Sequence, residues 1–174
     1  ADVIYYLAVY NENYPMPAKP KDCEEGILKG LYKLREAPSG DGPVVRLLGS
    51  GPIMLQVLDA VEKLETFGIR SEIWSATSYG ELRRDGLSCE RENRLNPDSA
   101  RQVPYAEQML GDGTYPTIAV SDNQIAVPDM IRQWVGGDFT ILGTDGFGRS
   151  DTRPNLRRFF EIDSQHITLA ALSS

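Results

Sequence analysis

Four short apolar runs, Val44–Leu48, Ile69–Ala76, Thr117–Val120 and Phe139–Leu142, alternate along the chain with stretches of helical periodicity. That order constrains the fold more than any other feature. A strand that leads through a helix to another strand closes as a parallel pair, with the helix lying across one face. Repeated along one chain, the unit predicts an α/β protein: a three-layer sandwich whose mostly parallel sheet, of about five strands, is covered by helices on both faces.

The helices announce themselves locally. Asp22-Cys-Glu-Glu25 has the pattern of a capping box and opens a helix that places Ile27, Leu28, Leu31 and Leu34 on one stripe, until the Gly- and Pro-rich Pro38–Pro43 breaks it. Gly49-Ser-Gly-Pro52 turns into a helix from Ile53 to Phe67, with Pro52 suited to its first turn and Gly68 to its end. Ser78-Tyr-Gly-Glu81 is a second capping box. It begins a short charged helix that Gly86 interrupts, and Pro104–Leu110 follows. Ile125–Val135 reads as an amphipathic helix with Pro128 near its start. Thr152–Phe160 is another helix, and a last element begins at Asp163.

Two segments stand apart. Val3–Tyr10 is β-rich with both faces apolar, as in a strand buried inside a sheet. Asn11–Lys21, with Pro15, Pro17 and Pro20, is an extended linker. A buried strand tethered this way belongs to a sheet outside the chain. Residues 1–21 are therefore expected to be the last strand of a preceding domain and its linker, and 22–174 the domain proper.

A length of 174 residues suits one domain with a real core. The net charge of −7 argues against binding a phosphate backbone, so nucleic acid is not an expected partner. No run approaches the roughly 18 apolar residues that span a bilayer, and no signal peptide precedes Val3, which predicts a cytoplasmic protein without a membrane partner. Cys23 and Cys89 have no metal-type spacing and suit reduced thiols, although the sequence leaves a disulfide between them open.

Candidate chemistry is sparse. Gly49-Ser-Gly51 lacks the third glycine of a dinucleotide fingerprint, and Arg70 or Ser71 stands where its acidic partner belongs, so tight strand–helix packing is the better account. His166 is the single histidine and sits in a terminal apolar segment rather than beside either cysteine. Gly111-Asp-Gly113 has the first letters of a metal–diphosphate motif in what reads as a surface turn. The richest stretch is Leu142–Arg153: a strand, a glycine turn carrying Phe147 between Gly146 and Gly148, and helix caps at Ser150, Asp151 and Thr152. Arg83, Arg84 and Asp85 also follow a strand. With Asp145, Phe147, Arg149, Asp151 and Arg153 they are expected on one sheet edge, forming an interface in which Arg149 and Arg153 pair with carboxylates across a domain or subunit boundary. No catalytic, cofactor-binding or metal-binding residue is assigned.

From about Tyr5 to Leu172 the chain resembles the C-terminal, transketolase-like domain of the homodimeric decarboxylating subunits of the pyruvate dehydrogenase complex. The resemblance rests on Asn11-Glu-Asn-Tyr14, Glu24-Glu-Gly-Ile27 with Lys29-Gly-Leu-Tyr-Lys33, Leu48-Gly-Ser-Gly51, Trp74-Ser-Ala-Thr-Ser78, Glu81-Leu-Arg-Arg-Asp-Gly86, Arg101 to Tyr105, and Gly143–Thr152. Departures fall at Glu92, Asn96 and Ser121–Gln124, where the family favours tryptophan, histidine and Thr-Asp followed by an aromatic. The resemblance implies a parent enzyme that uses thiamine diphosphate and magnesium to decarboxylate pyruvate and passes the acetyl group to the lipoyl acetyltransferase component. This domain is then expected to organise the homodimer, in contact with the preceding domains of the same polypeptide, and to bind no cofactor by itself. Two alternatives stay open: a stand-alone α/β domain binding an anion or nucleotide, and a related transketolase-like enzyme acting on another 2-oxo acid or a sugar.

Overall fold

The computed structural model describes residues 2, 4–7, 9 and 12–174. In chain order its elements are α1 (Glu24–Lys29), β1 (Leu31–Arg35), β2 (Val44–Gly49), α2 (Met54–Thr66), β3 (Arg70–Ala76), α3 (Tyr79–Leu95), α4 (Tyr105–Leu110), β4 (Thr117–Val120), α5 (Ala126–Asp129), β5 (Phe139–Leu142), α6 (Arg153–Phe159) and α7 (Ser164–Leu172). The strands form one sheet in the order β1-β3-β2-β4-β5. β2 pairs in parallel with β3 and β4, and β4 with β5, whereas β1 runs antiparallel to β3 at the edge.

Alternation along the strands sorts the core into two layers. Val45, Leu47, Ile73, Ile118 and Val120 point to a face covered by Val57, Val61 and Leu64 of α2 and Ile167 of α7. Leu31, Leu48, Trp74, Ala119 and Phe139 point to the other face, covered by Leu82 of α3, Leu110 of α4 and Trp134. The expected three-layer α/β sandwich is therefore what the chain forms.

Three helices expected from sequence take another shape. The stripe Ile27, Leu28, Leu31, Leu34 does not share a helix. Gly30 adopts φ 102° and ends α1 after six residues, and its carbonyl oxygen accepts the N–H groups of Thr77 and Ser78 at 2.9 and 3.1 Å. Leu31 and Leu34 then lie on opposite faces of β1. No capping box opens α1, because the Cys23 N-cap makes no side-chain bond to it. Ile125–Val135 divides into the short α5 and a 3-10 turn at Arg132–Trp134. Conversely, Gly86 interrupts nothing: α3 runs through it for 17 residues. Ser78 caps α3 as expected, accepting the Glu81 N–H at 3.1 Å. Val3, Ala8 and Tyr10 of the expected first strand lie outside the described residues. Ile4, Tyr5, Tyr6, Leu7 and Val9 have no regular secondary structure and are 78–97% exposed.

Gly86 earns its place sterically, since a Cβ there would collide with the Trp134 indole. Helix propensity alone says that alanine should stabilise α3 by about 0.5–1 kcal/mol. Overpacking of a filled core costs about 1–3 kcal/mol. Gly86→Ala is therefore expected to lower the urea midpoint; a raised midpoint would show that Trp134 moves aside freely.

Charge is also buried in the sheet. Arg46 and Glu72 are 2% and 6% exposed and pair at 2.7 Å between adjacent strands. The Glu72 carboxylate also accepts Trp74 Nε1 at 2.7 Å and Lys33 Nζ at 2.8 Å, while Arg46 reaches Asp112 at 3.2 Å. Burial pushes the Glu72 carboxyl up, but its bonds from Lys33, Trp74 and Arg46 outweigh that and hold it below the usual carboxylate range. A carboxyl whose folded-state pKa is depressed adds stability above its unfolded value, about 4.3 for glutamate, and that stability is lost as pH falls through the folded value. Melting temperature is therefore expected to fall below about pH 4.3. Glu72→Leu, which leaves Arg46 buried without its main partner, is expected to cost about 3–5 kcal/mol at neutral pH. A melting curve indifferent to both acid and this substitution contradicts the account.

Candidate functional site

Parallel strands deliver their chain reversals to one edge of a sheet, where α/β proteins receive ligands and partners. Here the carboxyl ends of β2, β4 and β5 are tied together. Ser50 Oγ donates to Ser121 Oγ at 3.1 Å, the Asn123 N–H reaches the same hydroxyl at 3.1 Å, and the Ser121 N–H reaches the Leu142 carbonyl at 3.1 Å. Gly49 is close-packed: a Cβ there would lie 2.9 Å from Met54 Cε, which accounts for the glycine by strand–helix packing.

The glycine loop after β5 is anchored at its base and open at its tip. The Thr144 N–H and Oγ1 donate to the Asn123 and Asp122 carbonyls at 2.9 and 3.0 Å, and Asp145 Oδ1 accepts the Ile125 N–H at 2.9 Å. Gly146 takes φ 97°, the conformation that turns the chain outward; Gly148, expected to share it, has no positive φ. Phe147 between them is 95% exposed.

The charged candidates divide. Asp85 is half-buried and accepts the Tyr105 N–H at 2.6 Å, holding the start of α4. Arg84 pairs with Glu81 on its own helix, and Arg83 faces solvent. Asp151 binds the Thr152 N–H and Asn155 at the start of α6. Arg149 lies over the Phe159 ring at 3.8 Å. Arg153 pairs with Glu12 and stands over the Tyr14 ring at 5.9 Å, so it is engaged by residues of its own chain. β3 and β5 are separated in the sheet by β2 and β4, and the Arg83–Asp85 group stays apart from the glycine loop.

Two adjoining clefts open on this edge. The larger, of about 570 Å³, lies between the linker (Tyr14, Met16), β1 (Tyr32) and the start of α2 (Met54). The smaller, of about 310 Å³, is bordered by the glycine loop and by Arg149, Arg153 and Arg157. Sequence reasoning passed over Arg157 and the linker's part in the larger cleft. The signal for the first was present, since positions 149, 153 and 157 recur every four residues.

Among the described residues, the side chains of reactive type stand apart from one another. Cys23 and Cys89 are buried free thiols, and burial pushes the Cys89 thiol up. His166 Nδ1 lies 2.7 Å from Asp163 Oδ1, the cap of α7. Tyr79 is buried with its hydroxyl unpartnered, and burial pushes its phenol up, away from any proton-transfer role at neutral pH. Among the described residues no group of three His, Cys, Asp or Glu side chains could hold a metal, and no helix is long and apolar enough to cross a membrane. Gly111–Gly113 does not fit a metal–diphosphate. Its backbone packs against Gly136 and Gly137, and the Asp112 carboxylate is taken by Arg46 and the Thr114 N–H.

A mostly parallel five-stranded sheet bearing an antiparallel edge strand, with helices on both faces, is the architecture of a transketolase C-terminal domain. The chain belongs to that family: residues 30–163 match the model of the transketolase-like TK C-terminal domain. A transketolase variant from Pichia stipitis superposes with a TM-score of 0.60 at 20% identity, covering 94% of this chain and 20% of that one. Nearer in sequence are proteins named pyruvate dehydrogenase E1 component. That of Pseudomonas aeruginosa is 48% identical over 99% of this chain and 20% of its own length, and that of Escherichia coli K12 is 46% identical over 98% and 19%. The chain spans about a fifth of these curated relatives and matches their C-terminal part.

With its ring in solvent, Phe147 adds little to this domain's own stability. Phe147→Ala is expected to change the unfolding free energy of the 174-residue chain by no more than about 0.5 kcal/mol in a denaturant melt. A larger loss would make the residue part of the core.

Proposed function

We propose that this chain is the C-terminal structural domain of a pyruvate dehydrogenase E1-type subunit, where it organises the homodimer and supports chemistry performed by the preceding domains. The observation that carries this reading is identity of 41–48% across nearly the whole chain with proteins of that name. In this reading the parent is a cytoplasmic oxidoreductase. It uses thiamine diphosphate and magnesium to decarboxylate pyruvate and passes the acetyl group to the lipoyl acetyltransferase component.

Two exposed apolar features favour docking against other domains. Ile4–Leu7 and Val9 project from the domain, consistent with a strand completed by a preceding domain across the 1–21 boundary. Phe147, flanked by Arg149 and Arg153, has the aromatic-plus-arginine composition of an interface anchor. Asp145 and Asp151 are the charged surroundings of the proposed Phe147 contact, and Arg83, Arg84 and Asp85 form a separate charged patch of the same proposed interface. Asp85, Asp145 and Asp151 already bind backbone N–H groups, so their part is to hold the surface in shape.

In the full-length polypeptide, Phe147→Ala removes a buried aromatic contact of about 3 kcal/mol and is expected to weaken dimerisation about 100-fold. Sedimentation at decreasing concentration measures this. Unchanged dimer affinity and cofactor retention would refute the docking role. Titration calorimetry of the 174-residue chain with thiamine diphosphate and magnesium is expected to give no heat of specific binding. Micromolar affinity would move cofactor binding into this domain.

A further inference from the structure

The two clefts at the carboxyl edge share Tyr14, Pro52 and Asp122, so one begins where the other ends. Their walls differ in kind. The larger is lined mainly by Tyr14, Met16, Tyr32, Leu34, Met54 and Val127 and contains no lysine or arginine. At about 570 Å³ it has the size and apolar character of a small-molecule site. The smaller presents Arg149, Arg153 and Arg157 against the single carboxylate of Asp122, a local reversal of charge in a chain of net charge −7.

The arginines are not equally engaged. Arg153 is held by Glu12 and Tyr14. Arg149 uses the face of its guanidinium on Phe159, which leaves its in-plane N–H donors directed elsewhere. Arg157 is half-buried, and among the described residues no carboxylate pairs with it or with Arg149. A planar fork of donors beside an apolar cleft recognises an oxyanion attached to an apolar body.

We propose that the double cleft binds a small molecule with one anionic end, a phosphate or carboxylate, and an aromatic or aliphatic body. The anion sits on Arg149 and Arg157, and the body lies between Tyr14, Tyr32 and Met54. The linker residues Tyr14 and Met16 form one wall, which makes the site sensitive to how the linker lies across the sheet edge. Phe147 and Arg149 border both this cleft and the proposed docking contact, so titration of the 174-residue chain and sedimentation of the full-length polypeptide test the two readings separately.

Amide chemical-shift titration of the chain with phenyl phosphate, phenylacetate, inorganic phosphate and benzyl alcohol tests it. At least one of the two amphipathic anions is expected to shift residues of both Gly51–Leu55 and Gly146–Arg157, saturating near or below about 1 mM. Whichever binds tighter identifies the end group. Inorganic phosphate and benzyl alcohol, each offering half of the ligand, are expected to bind at least about tenfold more weakly. Arg157→Gln, at a half-buried position of α6, is expected to weaken the anion about tenfold and leave benzyl alcohol unchanged. The proposal is overturned by the absence of saturable shifts up to about 10 mM, by shifts confined to other surfaces, or by equal binding to the Arg157→Gln chain.

Discussion

The buried pair of Arg46 and Glu72 joins the two central strands where side-chain alternation would otherwise place apolar residues. Neither charge could stay there alone, because an unpaired ion in a sheet interior costs several kcal/mol. Each is therefore surrounded. Glu72 collects Lys33 from the antiparallel edge strand and the indole of Trp74 from its own strand, and Arg46 collects Asp112 from the turn after α4. Strand β1, the centre of the sheet and the Gly111–Gly113 turn are thus fixed by one set of oxygens. Replacing such a network with apolar side chains can leave stability unchanged or raise it. What the network adds is specificity, since its geometry is satisfied in only one register of these strands.

With the amino end of the sheet fixed this way, the carboxyl end is free to carry loops. The hydroxyl chain through Ser50 and Ser121 and the anchoring of Thr144 and Asp145 set the base of the glycine loop, and only its tip stands in solvent. The base of the loop is hydrogen-bonded to the segment after β4, and the phenylalanine at its tip is exposed. The same fold occurs in transketolases at about a fifth of identical residues, so what separates these proteins lies in their edges and loops.

Glycine placement shows how close packing overrides local preference. Gly26 and Gly86 sit where helix propensity counts against them, and Gly30 at the left-handed end of α1, where glycine is favoured. At each, a Cβ would strike a neighbour: the Leu31 carbonyl oxygen, the Ser78 carbonyl oxygen and the Trp134 ring. Gly30 also carries the left-handed backbone that reverses α1 into β1. An apolar stripe of helical period was thereby divided between a helix and a strand.

The sequence by itself determined the layered α/β class, the four parallel strands with their boundaries nearly to the residue, α2 apart from Pro52, which falls in a 3-10 turn just ahead of it, the Ser78 cap and the outward glycine loop. These rest on short-range physics: side-chain period, caps, and the conformations open to Gly and Pro. Family kinship was also legible, because its motifs mark those same turns. Only the tertiary structure decided the rest. It made Leu31–Arg35 an edge strand, carried α3 through Gly86, and broke Ile125–Val135 into two turns. It also gave Asp85 to the start of α4, bound Arg153 to Glu12 of its own chain, and gathered Arg149 and Arg157 beside an apolar cleft. For Leu31–Arg35, Gly86, Asp85 and Arg153 the deciding partner lies far away along the chain, where sequence carries no signal of contact in space.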